Sequence, residues 1–213
     1  MKNIKHLCGT PLVEWILRAA MNANCIDSVI LSSDSEAILD VGRDLGCDIH
    51  VRNACDAEDT TSSEQSLIAV LKEHPLAKNA ATILMVQPTS PFTTSADFDS
   101  ALKMFVEGEF DSMVTAVKHH DFHWQIEEDG TATPAYDPHK RPFRQQMHGQ
   151  RRENGAFYIT SRELLDSTAC RLGGRIGCHT MAAHNGIEID EKLDWVMIEM
   201  LAKKLGLIPE PLA

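Results

Sequence analysis

The segment Ile83-Leu84-Met85-Val86-Gln87-Pro88-Thr89-Ser90-Pro91 runs from an unbroken apolar stretch straight into a polar loop flanked by prolines. Aliphatic residues without alternation predict a strand covered on both faces. Pro88 and Pro91 lack an N–H, so the ladder cannot continue and the chain turns out at the strand's carboxyl end. In open α/β sheets ligands bind outside those ends, which would present Gln87, Thr89 and Ser90 to a crevice. An ordinary proline-containing turn is the competing reading of the same residues.

Strand and helix patterns alternate on either side. Pro11 opens a helical pattern through Leu12, Trp15, Ile16, Ala19 and Ala20. Ser28-Val29-Ile30-Leu31-Ser32-Ser33-Asp34 reads as a buried strand leaving into hydroxyls and a carboxylate. An amphipathic helix over 36–45 stops at Gly46, and Asp48-Ile49-His50-Val51 is a weak strand running to Arg52. Thr61-Ser62-Ser63-Glu64 has capping-box spacing, predicting a helix whose amino end could hold an anion. After the strand at Ile83 come a helix over 95–107 and a strand over 112–117, and the core resumes at Gly155 with a strand over 155–160. A short helix over 162–165 and a closing helix over 194–205 follow. The pattern predicts an α/β fold with a mainly parallel sheet in one domain spanning 1–213. Residues 119–150 break the rhythm with histidines, three prolines and a turn at Asp129-Gly130, and read as an inserted hairpin or arm.

A formal charge of −11 argues against nucleic acid or an anionic membrane as partner. The six cysteines show neither metal-knuckle spacing nor disulfide-scaffold density, and read as reduced thiols of a cytoplasmic protein. No apolar stretch approaches the length of a membrane span. Nucleophile-elbow, Walker and dinucleotide fingerprints are absent, and the arm's histidines lack a second ligand cluster for zinc.

Two groups carry chemistry. Lys140, Arg141, Arg144, Arg151 and Arg152 lie between Asp137 and Glu153 with no acid among them. Arginine forks suit carboxylate or phosphate, although a solvated basic arm is the simpler reading because most charge runs are exposed. Glu188-Ile189-Asp190 puts two carboxylates on one face if the segment is extended, a pattern suited to Mg²⁺. A polar strand end before a helix amino terminus is the alternative.

Lys2-Asn3, Ser32-Ser33-Asp34, Arg52, Asp59-Thr60-Thr61-Ser62-Ser63, Gln87-Pro88-Thr89-Ser90-Pro91, Arg144-Gln145-Gln146, Asn154-Gly155-Ala156 and Glu188-Ile189-Asp190 together resemble the acylneuraminate cytidylyltransferases, or CMP-sialic acid synthetases. The resemblance implies a three-layer, Rossmann-like nucleotidyltransferase fold with an inserted dimerisation arm, hence a homodimer. It implies transfer of CMP from CTP to a nine-carbon sugar acid, giving CMP-sialic acid and pyrophosphate with Mg²⁺. On the resemblance Lys2, Arg144 and Asp190 are catalytic, and Lys2, Asn3, Arg52 and Ser63 bind the nucleotide. Gln87, Arg144, Arg152 and Asn154 bind the sugar acid, and Glu188 with Asp190 hold the metal. The first carboxylate of that pair is Glu here where the family carries Asp. The family also begins with a buried strand and a triphosphate loop that end at the Lys-Asn found here, so the sequence is expected to be a late start or fragment with impaired activity. A cytidylyltransferase for another sugar acid such as Kdo, or a non-catalytic sugar-acid-binding partner, are the alternatives. Localisation is expected to be cytoplasmic, or nuclear in an animal source given Lys140-Arg141 and Arg144.

Overall fold

A computed structural model describes residues 2–53, 62–147 and 150–212. The opening segment forms β5 (Thr82–Val86), which lies at one edge of a four-stranded sheet. Its neighbours are β9 (Arg151–Ser161), β6 (Ser112–Lys118) and β10 (Ile176–Met181), in the order β10-β6-β9-β5. β6 and β10 pair in parallel, and β9 is antiparallel to both β5 and β6. β5, β6 and β10 therefore run one way and β9 the other, making the sheet mixed. The excursion over 119–150 explains the reversal. It leaves the carboxyl end of β6 and returns there without a crossover, so the next strand can only run back.

β3 (Ile30–Ser33) and β4 (Asp48–Val51) form a separate parallel pair. β3 shares no ladder with β5, yet the two strands feed the same apolar clusters. Val29, Leu84 and Val86 join Ile16, Ala19 and Ala20 of α1 (Leu12–Asn22) and Phe98 of α4 (Ser95–Glu107). Ile30 and Ile83 join Leu67, Val70 and Leu71 of α3 (Ser63–Glu73) and Leu165 of α5 (Arg162–Thr168). Adjacent strand residues point to opposite faces, so helices cover both, giving the expected three layers. Among the described residues no ladder joins β3 to β5.

Local rules account for most boundaries. α2 (Glu36–Leu45) ends on Gly46 at φ 84°, a left-handed C-cap that glycine adopts without steric cost. The capping box of α3 sits one residue later than its sequence pattern suggests, with Ser62 and Gln65 exchanging both bonds. Of the stretch quoted with it, Asp59, Thr60 and Thr61 lie outside the described residues. α6 (Lys192–Leu205) seats Trp195, Ile198 and Ala202 against Leu7, Leu12, Trp15 and Phe92. Leu7 belongs to the short pair β1 (His6–Leu7) and β2 (Thr10–Pro11). The arm holds the expected hairpin, with β7 (Trp124–Ile126) and β8 (Ala132–Pro134) joined through Gly130 at φ 84°.

Candidate active site at the carboxyl ends of the strands

Gln87 follows β5 directly, and its N–H donates to the carbonyl of Ala156 at 3.0 Å, locking the loop to β9 where that strand enters the sheet. The carboxyl ends of β5, β6 and β10 thus converge on the amino end of β9, with Val117 opposite both Arg152 and Met181. Backbone polar groups crowd there because three strands stop together.

The loop after β5 divides its labour. Ser90 is 2% exposed and faces the carbonyl of Asn154, so it braces the loop and is not presented to the crevice as its sequence position suggests. Thr89 accepts the N–H of Ile189 at 3.0 Å, which docks the segment 188–190 onto the loop. Ile189 is 1% exposed and packs beside Trp195 and Phe92, anchoring the two acids that flank it. Lys2 completes the group from the other end of the chain, donating to the Ile189 carbonyl and lying 3.3 Å from Asp190 Oδ1. Asp194 accepts the N–H groups of Asp190 and Glu191 at 3.0 and 2.7 Å, which fixes the loop as α6 begins.

Gly155 is the floor. Its φ of 58° lies in the left-handed region, and a Cβ there would overlap Glu188 Oε2 and come within 2.9 Å of Gln87 Oε1. Glycine is required for both reasons, and its missing side chain leaves room for Gln87 and Glu188 over the same spot. Burial pushes the Glu188 carboxyl above its ordinary value, with Asp190 and Glu153 adding to the rise and Arg152 and Lys2 opposing it. Arg152 donates from Nη2 to the Gly186 carbonyl at 2.5 Å.

The structure therefore gathers Lys2, Gln87, Arg152, Glu188 and Asp190 in one cleft. Asn154 belongs to its wall. The side chain is fully buried, and Nδ2 donates to the Asn185 carbonyl at 2.9 Å while Oδ1 has no hydrogen-bond partner among the described residues. Asn3 holds the start of α1, its carbonyl accepting the Val13 N–H at 2.9 Å. Arg52 lies apart at the end of β4, with Nη2 3.6 Å from Asp34 and a buried, unpartnered Nε. Ser63 is the exposed first residue of α3, and no hydrogen bond or ion pair among the described residues links it or Arg52 to the Lys2 group. Arg144 opens a single 3₁₀ turn, Arg144–Gln146, at the end of the arm.

One network has no sequence signature. Tyr158 donates from its hydroxyl to Glu153, Arg171 lies over the Tyr158 ring at 4.3 Å, and Arg171 pairs with Glu64 beside Ser63. It ties the amino end of α3 to the amino end of β9. Only tertiary folding joins Arg171 to Glu64, 107 positions away.

A mixed α/β sheet with Lys2, Arg152 and two carboxylates beyond its strand ends has its candidate cleft where open α/β sheets bind ligands. A family profile described as "Cytidylyltransferase" matches residues 1–193, and the chain belongs to that family. It is 30% identical over 97% of its length to N-acylneuraminate cytidylyltransferase A of Danio rerio, and 31% identical over 97% to the N-acylneuraminate cytidylyltransferase of Oncorhynchus mykiss. In each case it spans 48% of the relative, so the chain covers about half the length of the curated proteins it matches. A solved structure described as CMP:2-keto-3-deoxy-manno-octonic acid synthetase complexed with CTP shares the fold, with TM-score 0.69, 13% identity, and coverage of 96% of this chain and 92% of that one. Among the described residues no helix is long and apolar enough to cross a membrane, and the five described cysteines are free. Cys55 lies outside the described residues.

Proposed function

We propose that this chain transfers CMP from CTP to a sialic acid, N-acetylneuraminate or a related nonulosonate, releasing pyrophosphate. The observation that carries the reading is the cleft in which Lys2, Gln87, Arg152, Glu188 and Asp190 meet, in a chain similar along 97% of its length to N-acylneuraminate cytidylyltransferases. The anomeric hydroxyl of the sugar attacks the α-phosphorus. A new O–P bond forms as the bond to the β-phosphate breaks, and the hydroxyl proton passes to solvent or a carboxylate. Charge neutralisation and alignment are the main catalytic tasks, because negative charge accumulates on the phosphates.

Lys2 suits the phosphate side, since its ammonium is already held among acids. Gln87 and Arg152 suit the hydroxyls and carboxylate of the acid, to which the resemblance also assigns Arg144, and Arg52 and Ser63 would belong to the nucleotide side. Glu188 and Asp190 fit Mg²⁺, because burial and then the neighbouring Asp190 hold the Glu188 carboxyl up, and a cation beside the two acids would relieve both. Substrate phosphate oxygens would complete the shell of such an ion. Bound there, the ion would neutralise the phosphates and polarise the reacting one.

The arm supports a homodimer. Trp124, Ile126 and Phe143 are 51%, 64% and 72% exposed, a large apolar display for a hairpin that leaves the sheet. Free thiols support a reducing, cytoplasmic setting. The test is pyrophosphate release from CTP with N-acetylneuraminate, run beside UTP and Kdo. Release with Kdo alone would replace the acceptor, and binding of the acid without release would favour a non-catalytic partner.

A further inference from the structure

We propose that the outer face of α6 is an interface between copies of this chain, in which two α6 helices pack antiparallel about a two-fold axis between Val196 and Met197. The inference depends neither on the transfer reading nor on the arm.

α6 is apolar on two opposite faces. Trp195, Ile198 and Ala202 are buried against Leu7, Leu12 and Phe92. Helical spacing puts Leu193, Val196, Met197 and Met200 in one row on the other side, where they are 65%, 52%, 37% and 66% exposed. A surface helix carries polar residues on the side away from its core, whereas a helix that is apolar all round is a buried one. The first turns of α6 therefore have the composition of a buried helix on a face that solvent reaches. The row is continuous, and four large side chains make a patch of the kind that marks a contact site on a soluble protein.

The charges at the two ends of the row select a second copy. Asp190 and Glu191 are exposed just before the helix, and Lys203 and Lys204 are exposed in its last turn. Lys203 reaches back to Glu199 at 2.6 Å, and Lys204 has no ion-pair partner among the described residues. A two-fold axis between Val196 and Met197 sets Leu193 against the partner's Met200 and Val196 against the partner's Met197. The same register brings Lys203 opposite the partner's Asp190, with Lys204 one residue further on. The helix dipoles oppose in this arrangement, and each acidic end meets a basic one. Parallel packing would instead set acids on acids and lysines on lysines. Self-complementarity of this kind is what an isologous contact requires, and the two methionines can fill the seam between convex helices. A single helix pair buries less than the roughly 1,600 Å² of a standard interface, so the association is expected to be reversible, with Kd on the order of 100 µM.

Sedimentation equilibrium over about tenfold either side of that concentration tests the contact. It compares the unaltered protein with Met200→Lys, Leu193→Lys and the control Val106→Lys, which alters an equally exposed apolar residue on α4. The expected result is a mass that halves in Met200→Lys and Leu193→Lys, from four chains to two where the arm is also paired and from two to one where it is not. Val106→Lys is expected to leave the mass unchanged, and melts of dilute samples are expected to match in all four proteins because the substituted side chains face solvent in the single chain. Carbodiimide crosslinking of mixed isotope-labelled and unlabelled protein reads the direction, with links between copies expected from Lys203 or Lys204 to Asp190 or Glu191. A mass that the two α6 variants leave unchanged overturns the proposal, and so do links between copies that join these lysines to Glu199 instead. Met197 and Met200 shielded from oxidation only in a chain extended downstream would also overturn it, because further sequence would then be the cover.

Discussion

Lys2 and Asp190, 188 positions apart, meet with Nζ 3.3 Å from Oδ1, and the same ammonium donates to the carbonyl between the two acids of the cleft. The side chains are 37% and 71% exposed, so the pair contributes little to stability, about 0–1 kcal/mol. Its value is positional. Lys2→Ala is expected to lower kcat/KM for CMP transfer by about 10²–10³-fold, the usual cost of removing a preorganised charge partner from a phosphate, with little change in Tm. Steady-state kinetics and a thermal melt on the same preparation check this.

Glu188 carries a pH prediction. Its carboxyl is raised above 4.5 in the folded protein by burial and by Asp190. The folded state therefore binds this proton more tightly than the unfolded chain. The stabilising contribution is full below the unfolded value and is lost as pH rises through the folded one, above which a half-buried charge remains. Glu188→Gln is expected to raise Tm at pH 7.5 but not near pH 4, and to abolish any stabilisation by Mg²⁺. Melts at the two pH values, with and without the ion, decide it.

Gly155→Ala places a methyl where Glu188 and Gln87 meet and imposes a left-handed φ on a residue with a Cβ. Both acceptor side chains must move. The expected outcome is loss of transfer by at least tenfold with destabilisation of about 1–3 kcal/mol. Denaturant unfolding separates the two effects, and a variant of wild-type activity would show that the contact is unimportant.

Phe157 tests the core behind the cleft. It is fully buried on β9, with its ring centroid 4.8 Å from that of Phe98. Phe157→Ala is expected to cost about 3–5 kcal/mol, read as a fall in the denaturation midpoint.

Helices with local caps were legible in the sequence: α2 and α4 begin and end where their patterns do, since Gly46 and the Thr94–Asp97 box act within one turn. The direction of β9 was not legible, because an apolar run carries no sense of pairing and the arm that reverses it is read only as an interruption. β10 escaped notice since Gly177, Cys178 and His179 interrupt its apolar run. The site followed the same division. Gln87 was legible from its strand end and the acids of 188–190 from their alternation, Lys2 only from the resemblance, while the inward turn of Ser90 and Asn154 and the Glu64–Arg171–Tyr158–Glu153 chain depend on contacts that no local pattern encodes. The basic run was half legible. Its charge could be read, but not that Arg152 is tethered to the Gly186 carbonyl near Glu188.

The most direct test of the cytidylyltransferase reading is pyrophosphate release by the purified chain from CTP, Mg²⁺ and N-acetylneuraminate, repeated with the chain extended upstream. Release that requires CTP and the nine-carbon acid, in either form, with UTP and Kdo inactive, is the predicted result. No release from either form, in preparations that bind both CTP and the acid, would contradict it.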